Sequence, residues 1–584
     1  MDSSKWLVVF IGAVLAGAGC GSGSAGSSDG RPHDADVDTA IDTAPVSDGG
    51  PVGDGPAGDG GPTLDGGPSV DSGSDGGGTD DLGGPIAACA SDVGMRVPPA
   101  PLRRLSNFEY ANSVRDMLGL SLPTNPLPLG GDVSDDVATL TALTDGYHRV
   151  AHDFALATAQ STASLDAFGK CDVAASSEAT CAQRFVATLV PRLFRRPLDP
   201  DDASEFADVF ANGRALGGDY ASGIRAVLEV AMQSPEFLYR VEFGEAVDPG
   251  RPGLGRPRPF EMATRLSYLL SATAPDEMLN AAAAQDQLKT KAQIEGQARR
   301  LLAGTHAHDV TRDFYARLWR LGDVAPGGNG PAAGEETTRF VDEVVWVGGG
   351  DLHTLLTAPF SFVNESLAQI YGIPGVSGTT FMRANLPAPQ RRGVLTQLSL
   401  LAPRATADGK LTHPSQRGAL IFEQLLCGDL SKTPPAEQHM AAGRNTGETA
   451  RQWLQRVTAP STCQSCHAQI DPLGLGFEHY ASDGTWRDTD SGAVIDVRGA
   501  LTGIDAAGTF DGAIELIERL ASSRDVRACH VRKWMESAYG RALVAEDACS
   551  RGQLEQGFER TTGNIRDLMI GLTQTEAFLY RPAP

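Results

Sequence analysis

Residues 106–119 read Ser-Asn-Phe-Glu-Tyr-Ala-Asn-Ser-Val-Arg-Asp-Met-Leu-Gly, and this stretch sets the expectation for the fold. Ser106 is a preferred helix N-cap residue, and Gly119 is a preferred residue just beyond a helix C-terminus. Between them, apolar residues recur at the three- and four-residue spacing of one helix face. The sequence therefore predicts an amphipathic helix over residues 107–118. Its apolar positions are Phe108, Ala111, Val114 and Leu118.

Similar apolar spacing recurs along the rest of the chain, whereas the alternation typical of strands is confined to Gly484–Val497. We therefore predict a mainly α fold, built of several small helical modules in series with few short strands. The further predicted helical stretches are Asp202–Ala215, Ala221–Gln233, Phe260–Ala272, Ala292–Leu302, Asp525–Gly540 and Asn564–Phe578.

The first 20 residues have the features of an export signal. Lys5 precedes an apolar run from Trp6 to Ala18, which at about 1.5 Å per residue is too short to cross roughly 30 Å of bilayer hydrocarbon. The run ends at Cys20 in a segment that resembles a bacterial lipobox, so we expect Cys20 to carry a lipid anchor. Gly17 stands where that pattern favours Leu, so simple cleavage with a free Cys20 is the alternative.

The composition of residues 21–86 predicts that they form a disordered Gly/Asp/Pro-rich tether. They contain thirteen Asp, one Arg, no Lys and no aromatic residue, a composition that cannot bury enough surface to offset its ordering entropy. A calcium-binding Asp repeat is disfavoured, because no Asp-x-Asp-x-Asp-Gly loop with a closing Glu is present. The tether carries about half of the formal net charge of -24. With this charge and no dense Lys/Arg stripe, we expect no nucleic-acid partner.

Nine cysteines are present, and an exported chain is expected to pair most of them. Setting aside Cys20 and the closely spaced Cys463 and Cys466 leaves six. Six cysteines allow fifteen connectivities, so any pairing is an inference from proximity. Short separations in the sequence favour two pairs, and the two remaining cysteines are then assigned to each other. The predicted pairs are Cys171–Cys181, Cys529–Cys549 and Cys89–Cys427.

Residues 463–467 read Cys-Gln-Ser-Cys-His, the C-x-x-C-H pattern of covalent c-type haem attachment. Two thiols separated by two residues can each add to one vinyl group of a haem. The adjoining His467 then serves as the proximal iron ligand. Pro472 lies where its backbone carbonyl can accept the other ring N–H of this histidine. We predict one covalent haem c held by Cys463, Cys466 and His467.

The flanking sequence disfavours two other interpretations of this motif. A redox-active dithiol normally opens a helix after a strand, and the flanking residues show no βαβ pattern. A zinc site needs a second pair of Cys or His ligands, and no such pair follows at the spacing of a zinc finger. The sixth iron ligand cannot be read from the sequence. Residues in the same half of the chain with suitable side chains are His413, His439, Met440, His479, His530 and Met535.

Several short motifs in a fixed order resemble the exported multi-domain proteins of unknown function with a cytochrome-c-like haem motif, found in planctomycete-type and myxobacterial proteins. The resemblance spans about residues 101–581. One departure is that relatives often carry a His shortly before the first haem Cys, where this chain reads Val457-Thr458-Ala459-Pro460. The motifs include Leu102–Tyr110, Ser113–Gly119, Cys181–Leu198, Ser234–Arg240, Arg265–Leu270, Arg392–Leu395, His413–Gly418, Ile470–Gly474, Gly484–Arg487, Ala538–Arg541 and Leu572–Phe578.

The resemblance implies a modular organisation and a haem site but no reaction, so function has to be argued from the site. We expect a signal peptide over 1–20, the tether over 21–86, and five modules. The predicted modules are an N-terminal helical module over 87–170, helical modules over 171–245 and 246–385, the cytochrome-c-like haem-motif module over 386–500, and a C-terminal helical module over 501–584.

The sequence as a whole predicts an exported c-type haem protein that acts in electron transfer or within an oxidoreductase assembly at the cell envelope. It would be held at the membrane by its lipid anchor, in the periplasm or on the outer membrane, or else secreted, and would exchange electrons with an unidentified redox partner. A Ser/His/Asp set, a phosphate loop or a paired-carboxylate cleft is not evident, so whether the chain is an enzyme stays open. The alternative is a non-redox surface lipoprotein or binding module with structural disulfides.

Overall fold

The structure is a computed structural model that describes residues 102–119, 137–159, 165, 169–247, 253–321, 329–405, 411–430 and 443–583. These all lie in one compact unit, Gly78–Pro584. The predicted leader and tether, with Cys20, lie outside the described residues, and so do Cys89, His439 and Met440. The described part is mainly α-helical with a few short antiparallel strands, which confirms the predicted fold class.

The helix predicted from residues 106–119 is confirmed, and of its predicted apolar positions Val114 and Leu118 are buried, whereas Phe108 and Ala111 are only partly buried. Its N-cap serine hydroxyl accepts from the backbone N–H of Glu109 at 3.1 Å, and Glu109 accepts from the backbone N–H of Ser106 at 2.9 Å. Gly119 ends the helix with φ 67°. Glu109 is buried rather than exposed, because it forms an ion pair with Arg240 in the following module. On the same helix Tyr110 is fully buried.

The first part of the fold packs helices around one small strand pair. Strands β1 and β2 pair antiparallel, so that Arg103 lies opposite Arg240 and Arg104 opposite Tyr239. This pairing joins the first two predicted modules. The elements are β1 (Arg103–Arg104), α1 (Asn107–Leu118), α2 (Val137–Thr158), α3 (Glu178–Phe194), α4 (Pro200–Gly217), α5 (Tyr220–Gln233), α6 (Pro235–Leu238) and β2 (Tyr239–Arg240).

The middle part begins with two strands of a three-stranded antiparallel sheet and continues into a helical layer. A π-helix over Glu343–Val347 extends the fifth of its helices. The elements are β3 (Glu245–Ala246), β4 (Leu254–Arg256), α7 (Pro259–Ser271), α8 (Glu277–Ala284), α9 (Lys291–Leu302), α10 (His306–Leu318), α11 (Gly330–Asp342), α12 (Leu352–Thr357), β5 (Phe360–Val363), α13 (Glu365–Tyr371) and β6 (Met382–Asn385).

The last part contains the cysteine motif and returns to the middle part. The final strand, β11, pairs antiparallel with β4, and one hydrophobic cluster extends from Met262 to Leu579. The modules in this stretch therefore share a core. The elements are α14 (Leu398–Leu401), α15 (Pro414–Gln424), α16 (Ala450–Val457), α17 (Ser461–Leu475), β7 (Thr489–Asp490), β8 (Ala493–Val494), β9 (Arg498–Leu501), β10 (Gly508–Asp511), α18 (Ala513–Ser522), α19 (Arg524–Tyr539), α20 (Ala548–Arg560), α21 (Ile565–Gln574), α22 (Glu576–Leu579) and β11 (Arg581–Pro582).

Two disulfides are described, and only one has the predicted partners. Cys171 bonds Cys181, as its short separation indicated. Cys427 bonds Cys529, so the predicted Cys529–Cys549 and Cys89–Cys427 pairs are wrong. The prediction failed because it ranked pairs by separation in sequence. The end of α15 packs on α19, which brings two thiols 102 residues apart within bonding range. Cys549, on α20, is disulfide-bonded as well.

A buried carboxyl in the middle part gives a pH-dependent prediction. Glu336 on α11 accepts hydrogen bonds from Ser361 Oγ at 2.6 Å and Tyr371 Oη at 2.7 Å. Burial nevertheless raises its pKa from 4.5 to about 7, against those hydrogen bonds and the nearby Arg391 guanidinium. The folded state therefore favours the protonated form. Stability from this residue is fully present below pH 4.5 and is lost as the pH rises to about 7.

We expect Glu336→Gln to remove that pH dependence, which amounts to about 3 kcal/mol across the interval. The measurement is the urea midpoint of the wild-type and variant proteins at pH 4.5 and pH 8. Glu335→Gln is the control, because Glu335 is exposed and pairs with Arg339 on the surface. A Glu336→Gln variant whose midpoint changes with pH as much as that of the wild type would contradict this assignment.

Candidate functional site

The C-x-x-C-H motif lies in the first half of α17. Cys463, Cys466 and His467 are separated by three and four residues, so they share one face of this helix. Both thiols are half-buried and neither is bonded to another cysteine. The neighbouring Ser461, Gln464 and the other outward positions are exposed. The structure therefore presents two free thiols and one imidazole together at the surface of a single helix.

The His467 ring is fixed from one side by a buried carboxylate. Its Nδ1 lies 2.9 Å from Asp471 Oδ1, one turn further along α17. Ser415 Oγ on α15 donates to the same carboxylate oxygen at 2.6 Å and lies 3.5 Å from the ring nitrogen. Asp471 is 8% exposed. An Nδ1–H donated to Asp471 leaves Nε2 unprotonated, as a metal-ligating histidine requires.

The predicted partner of this ring nitrogen was wrong. We expected the backbone carbonyl of Pro472, from its spacing five residues after His467. The helix instead continues through Pro472 to Leu475. On a continuous helix the side chain four residues on from His467 is the one that reaches it, and that residue is Asp471.

The motif helix is positioned by an unusually close crossing with α15. A Cβ atom on Gly474 would lie 1.8 Å from the backbone oxygen of Pro414. A Cβ atom on Gly418 would lie 1.8 Å from the backbone oxygen of Ile470. Only glycine allows the two backbones to approach this closely. The close crossing places the Ser415 side chain against Asp471. It thereby fixes the position of the His467 ring relative to α15.

Behind the crossing lies a buried ion pair that holds the end of α17. The Arg417 guanidinium donates to the backbone oxygens of Phe477 at 2.9 Å and Tyr480 at 2.8 Å. Its Nη1 lies 3.6 Å from Glu478 Oε1, and both side chains are 2% exposed. Glu478 also accepts from Thr412 Oγ1 at 2.7 Å and from Arg487 at 2.8 Å. Burial lowers the pKa of Arg417 to about 10, so it stays charged at neutral pH.

His413 is the one described sixth-ligand candidate near this site. It precedes α15, its ring meets Trp453 edge-on at 5.8 Å, and its buried Nδ1 has no hydrogen-bond partner among the described residues. Burial lowers its pKa. Its strongest charge interaction is with Asp471. His413 is therefore close enough to the motif to interact with the same carboxylate that holds His467.

The other described candidates have partners away from the motif. His479 stacks on Trp486 at 4.5 Å and donates from Nδ1 to the backbone oxygen of Arg487 at 2.7 Å. His530 is buried in the core, where Trp534 Nε1 donates to it at 3.2 Å, and burial lowers its pKa to about 3. Met535 is fully buried in the core. These three side chains are therefore used in packing the fold.

The described His, Cys, Asp and Glu side chains form no group of three or more arranged to hold a metal ion. In the same ranges, no helix combines the length and apolarity needed to cross a membrane.

Five family models match the chain in series, and all five are described as proteins of unknown function. No curated protein and no solved structure is significantly similar to the chain. The motif helix lies within the fourth match, together with Ser415, Arg417 and Glu478. The matches are DUF1587 over 103–157, DUF1595 over 181–242, DUF1592 over 258–373, DUF1588 over 391–490 and DUF1585 over 508–578.

Proposed function

We propose that this chain, with its five domains of unknown function in series, is an exported c-type haem protein acting in electron transfer or within an oxidoreductase assembly at the cell envelope. The observation that carries the proposal is the geometry of α17. Two free thiols and an imidazole share one face, and the imidazole Nδ1 is already held by Asp471. This donor set fits a haem attached through two thioether bonds.

Each residue of the motif has a separate role. Cys463 and Cys466 hold the haem, and His467 ligates its iron through Nε2. Asp471 accepts the Nδ1–H, fixes the tautomer and increases the basicity of the ring. Ser415 donates to Asp471 and keeps the carboxylate in place. Bound haem supplies one-electron redox chemistry.

Export and membrane anchoring belong to the same proposal. The two described disulfides are of the kind that persists in an oxidising compartment, where c-type haem attachment also takes place. The apolar leader supports export, and the lipobox-like segment ending at Cys20 supports a lipid anchor. The alternative, a surface module with a structural Cys463–Cys466 disulfide, is less well supported because both thiols are unbonded.

The test is to express the full chain with c-type maturation machinery and record a pyridine haemochrome and a reduced-minus-oxidised visible spectrum. We expect one covalent haem per chain in the wild type and none in Cys463→Ala/Cys466→Ala. Cys171→Ala/Cys181→Ala is the control, because it removes two paired cysteines far from the motif in sequence and should keep its haem. A wild-type chain without haem would refute the proposal.

A second prediction concerns Asp471. Asp471→Asn replaces a charged acceptor with a neutral one, so the proximal imidazole becomes a weaker donor to iron. We expect the reduction potential to rise by about 20–60 mV, which corresponds to on the order of 1 kcal/mol. Asp496→Asn is the control, since Asp496 pairs with Arg498 at the surface of the same module. Equal potentials in the Asp471→Asn and wild-type proteins would show that the carboxylate does not act on the iron.

A further inference from the structure

Arg391 is a buried cation that forms no ion pair with a carboxylate among the described residues. It is 1% exposed, and its guanidinium lies over the Tyr371 ring at 4.1 Å and the Tyr480 ring at 5.1 Å. It donates to the backbone oxygens of Thr396, at 2.9 Å, and of Gly484. Its buried Nε has no hydrogen-bond partner within the described part of the chain. Arg391 is therefore held in the core by aromatic rings and carbonyl oxygens, with one donor unused.

The charge of Arg391 acts on the buried carboxyl of Glu336, on α11. Tyr371 contacts both groups, because its ring lies against the guanidinium and its Oη donates to Glu336 at 2.7 Å. Glu336 is 0% exposed and Tyr371 is 3% exposed, so water screens the carboxylate and the guanidinium only weakly. An ionised Glu336 therefore attracts Arg391 strongly.

The other charged side chains of the elements packed on α11 have partners of their own. These elements are α10, the π-helix, β5, α13 and α14. The contacts of Glu336 toward β5 and the start of α14 are made by neutral side chains, those of Ser361 and Gln397. Arg391 is the charged group of the described chain that shifts the pKa of Glu336. The neighbouring ion pairs are Arg312 with Asp309 and Asp342, His308 with Asp342, Glu343 with Arg383, and Glu335 with Arg339.

The two carbonyl contacts of Arg391 connect different parts of the fold. Thr396 lies five residues further along the same segment, whereas Gly484 is 93 residues away. Gly484 belongs to the turn over residues 481–485, directly after Tyr480. A movement of Arg391 toward Glu336 carries the Thr396 segment with it and breaks the contact with Gly484. Glu336 lies in the DUF1592 match, and Arg391 and Gly484 lie in the DUF1588 match with the cysteine motif.

We propose that Glu336 and Arg391 form a proton-operated switch between the DUF1592 and DUF1588 domains. With Glu336 protonated, Arg391 bonds Gly484 and holds the 481–485 turn against the rest of the fold. When Glu336 releases its proton to bulk water, the guanidinium turns toward the carboxylate and releases the turn. The switch does not depend on the haem, because none of these side chains belongs to the motif. Burial raises the pKa of Glu336 to about 7, which sets the change near neutral pH.

The test is hydrogen exchange with mass spectrometry on the full-length protein at pH 5.5 and pH 8.5, with each rate divided by the intrinsic rate at that pH. In the wild type we expect residues 481–487 to exchange about tenfold faster at pH 8.5 on this corrected scale. In Glu336→Gln the corrected rate should be the same at both pH values. Glu335→Gln is the matched control and should behave as the wild type, since Glu335 is exposed and pairs with Arg339.

Three results would overturn the proposal. The first is equal corrected exchange of residues 481–487 at both pH values in the wild type, a result that does not depend on how any variant folds. The second is an equal acceleration in α5, which would mean that the whole protein opens instead of the turn. The third is a pH dependence in Glu336→Gln that matches the wild type.

Discussion

Gly474→Ala is expected to destabilise the protein by about 3 kcal/mol or more, since its new methyl group would lie 1.8 Å from the backbone oxygen of Pro414. That oxygen belongs to the first turn of α15, so no side-chain rotation relieves the clash. The two helices have to separate, and the contact between Ser415 and Asp471 is lost with them. The measurement is the urea midpoint of unfolding.

Gly296→Ala is the matched control for that substitution. Gly296 also lies inside a helix, α9, and a Cβ atom there would have nothing within 4 Å. Alanine has the higher helix propensity, so Gly296→Ala should stabilise the protein by about 0.5–1 kcal/mol. Because the two substitutions should change stability in opposite directions, they distinguish the effect of the close crossing from the effect of helix propensity. Equal stability of the two variants would contradict a backbone contact between α15 and α17.

Arg417→Met is expected to cost about 3–5 kcal/mol, because it leaves a buried carboxylate with less compensation and four backbone carbonyls without this donor. Methionine fills much of the same volume, so the loss is mainly electrostatic. In the double variant Arg417→Met/Glu478→Gln, part of the loss should be recovered, since the uncompensated charge is removed.

The control for this prediction is Arg498→Met. Arg498 pairs with Asp496 at 3.0 Å, but its side chain is 75% exposed, so solvent screens the pair and its loss should change stability little. Urea midpoints of the single and double variants give the coupling between Arg417 and Glu478. A loss of stability in Arg417→Met no larger than that in Arg498→Met would show that the buried pair does not hold the end of the motif helix.

Local features of the fold could be predicted from the sequence, because they depend on neighbouring residues. The helix from Asn107 to Leu118 has both of its caps in the sequence, and the Cys171–Cys181 disulfide joins residues close together in the chain. The burial of Glu109 on that helix could not be predicted. It is set by Arg240, 131 residues away from Glu109, and the spacing of apolar residues alone does not reveal such a partner.

The same division applies to the candidate site. Cys463, Cys466 and His467 are recognised by their spacing, because the chemistry needs them adjacent. Asp471 could have been found from the four-residue spacing if the helix had been expected to continue through Pro472. Ser415, Gly418 and Gly474 depend on how α15 crosses α17 and have no signal within either helix alone. The Cys427–Cys529 disulfide was missed for the same reason.

The most direct test of the haem assignment is peptide mass spectrometry of the protein made with c-type maturation machinery. Trypsin should release residues 457–487 as one peptide, since Arg456 and Arg487 flank a stretch without Lys or Arg. That peptide contains Cys463 and Cys466 and no other cysteine. The account predicts a peptide heavier by one haem, with both thiols resistant to alkylation. A peptide with two alkylated thiols, or with a Cys463–Cys466 disulfide and no haem, would contradict it.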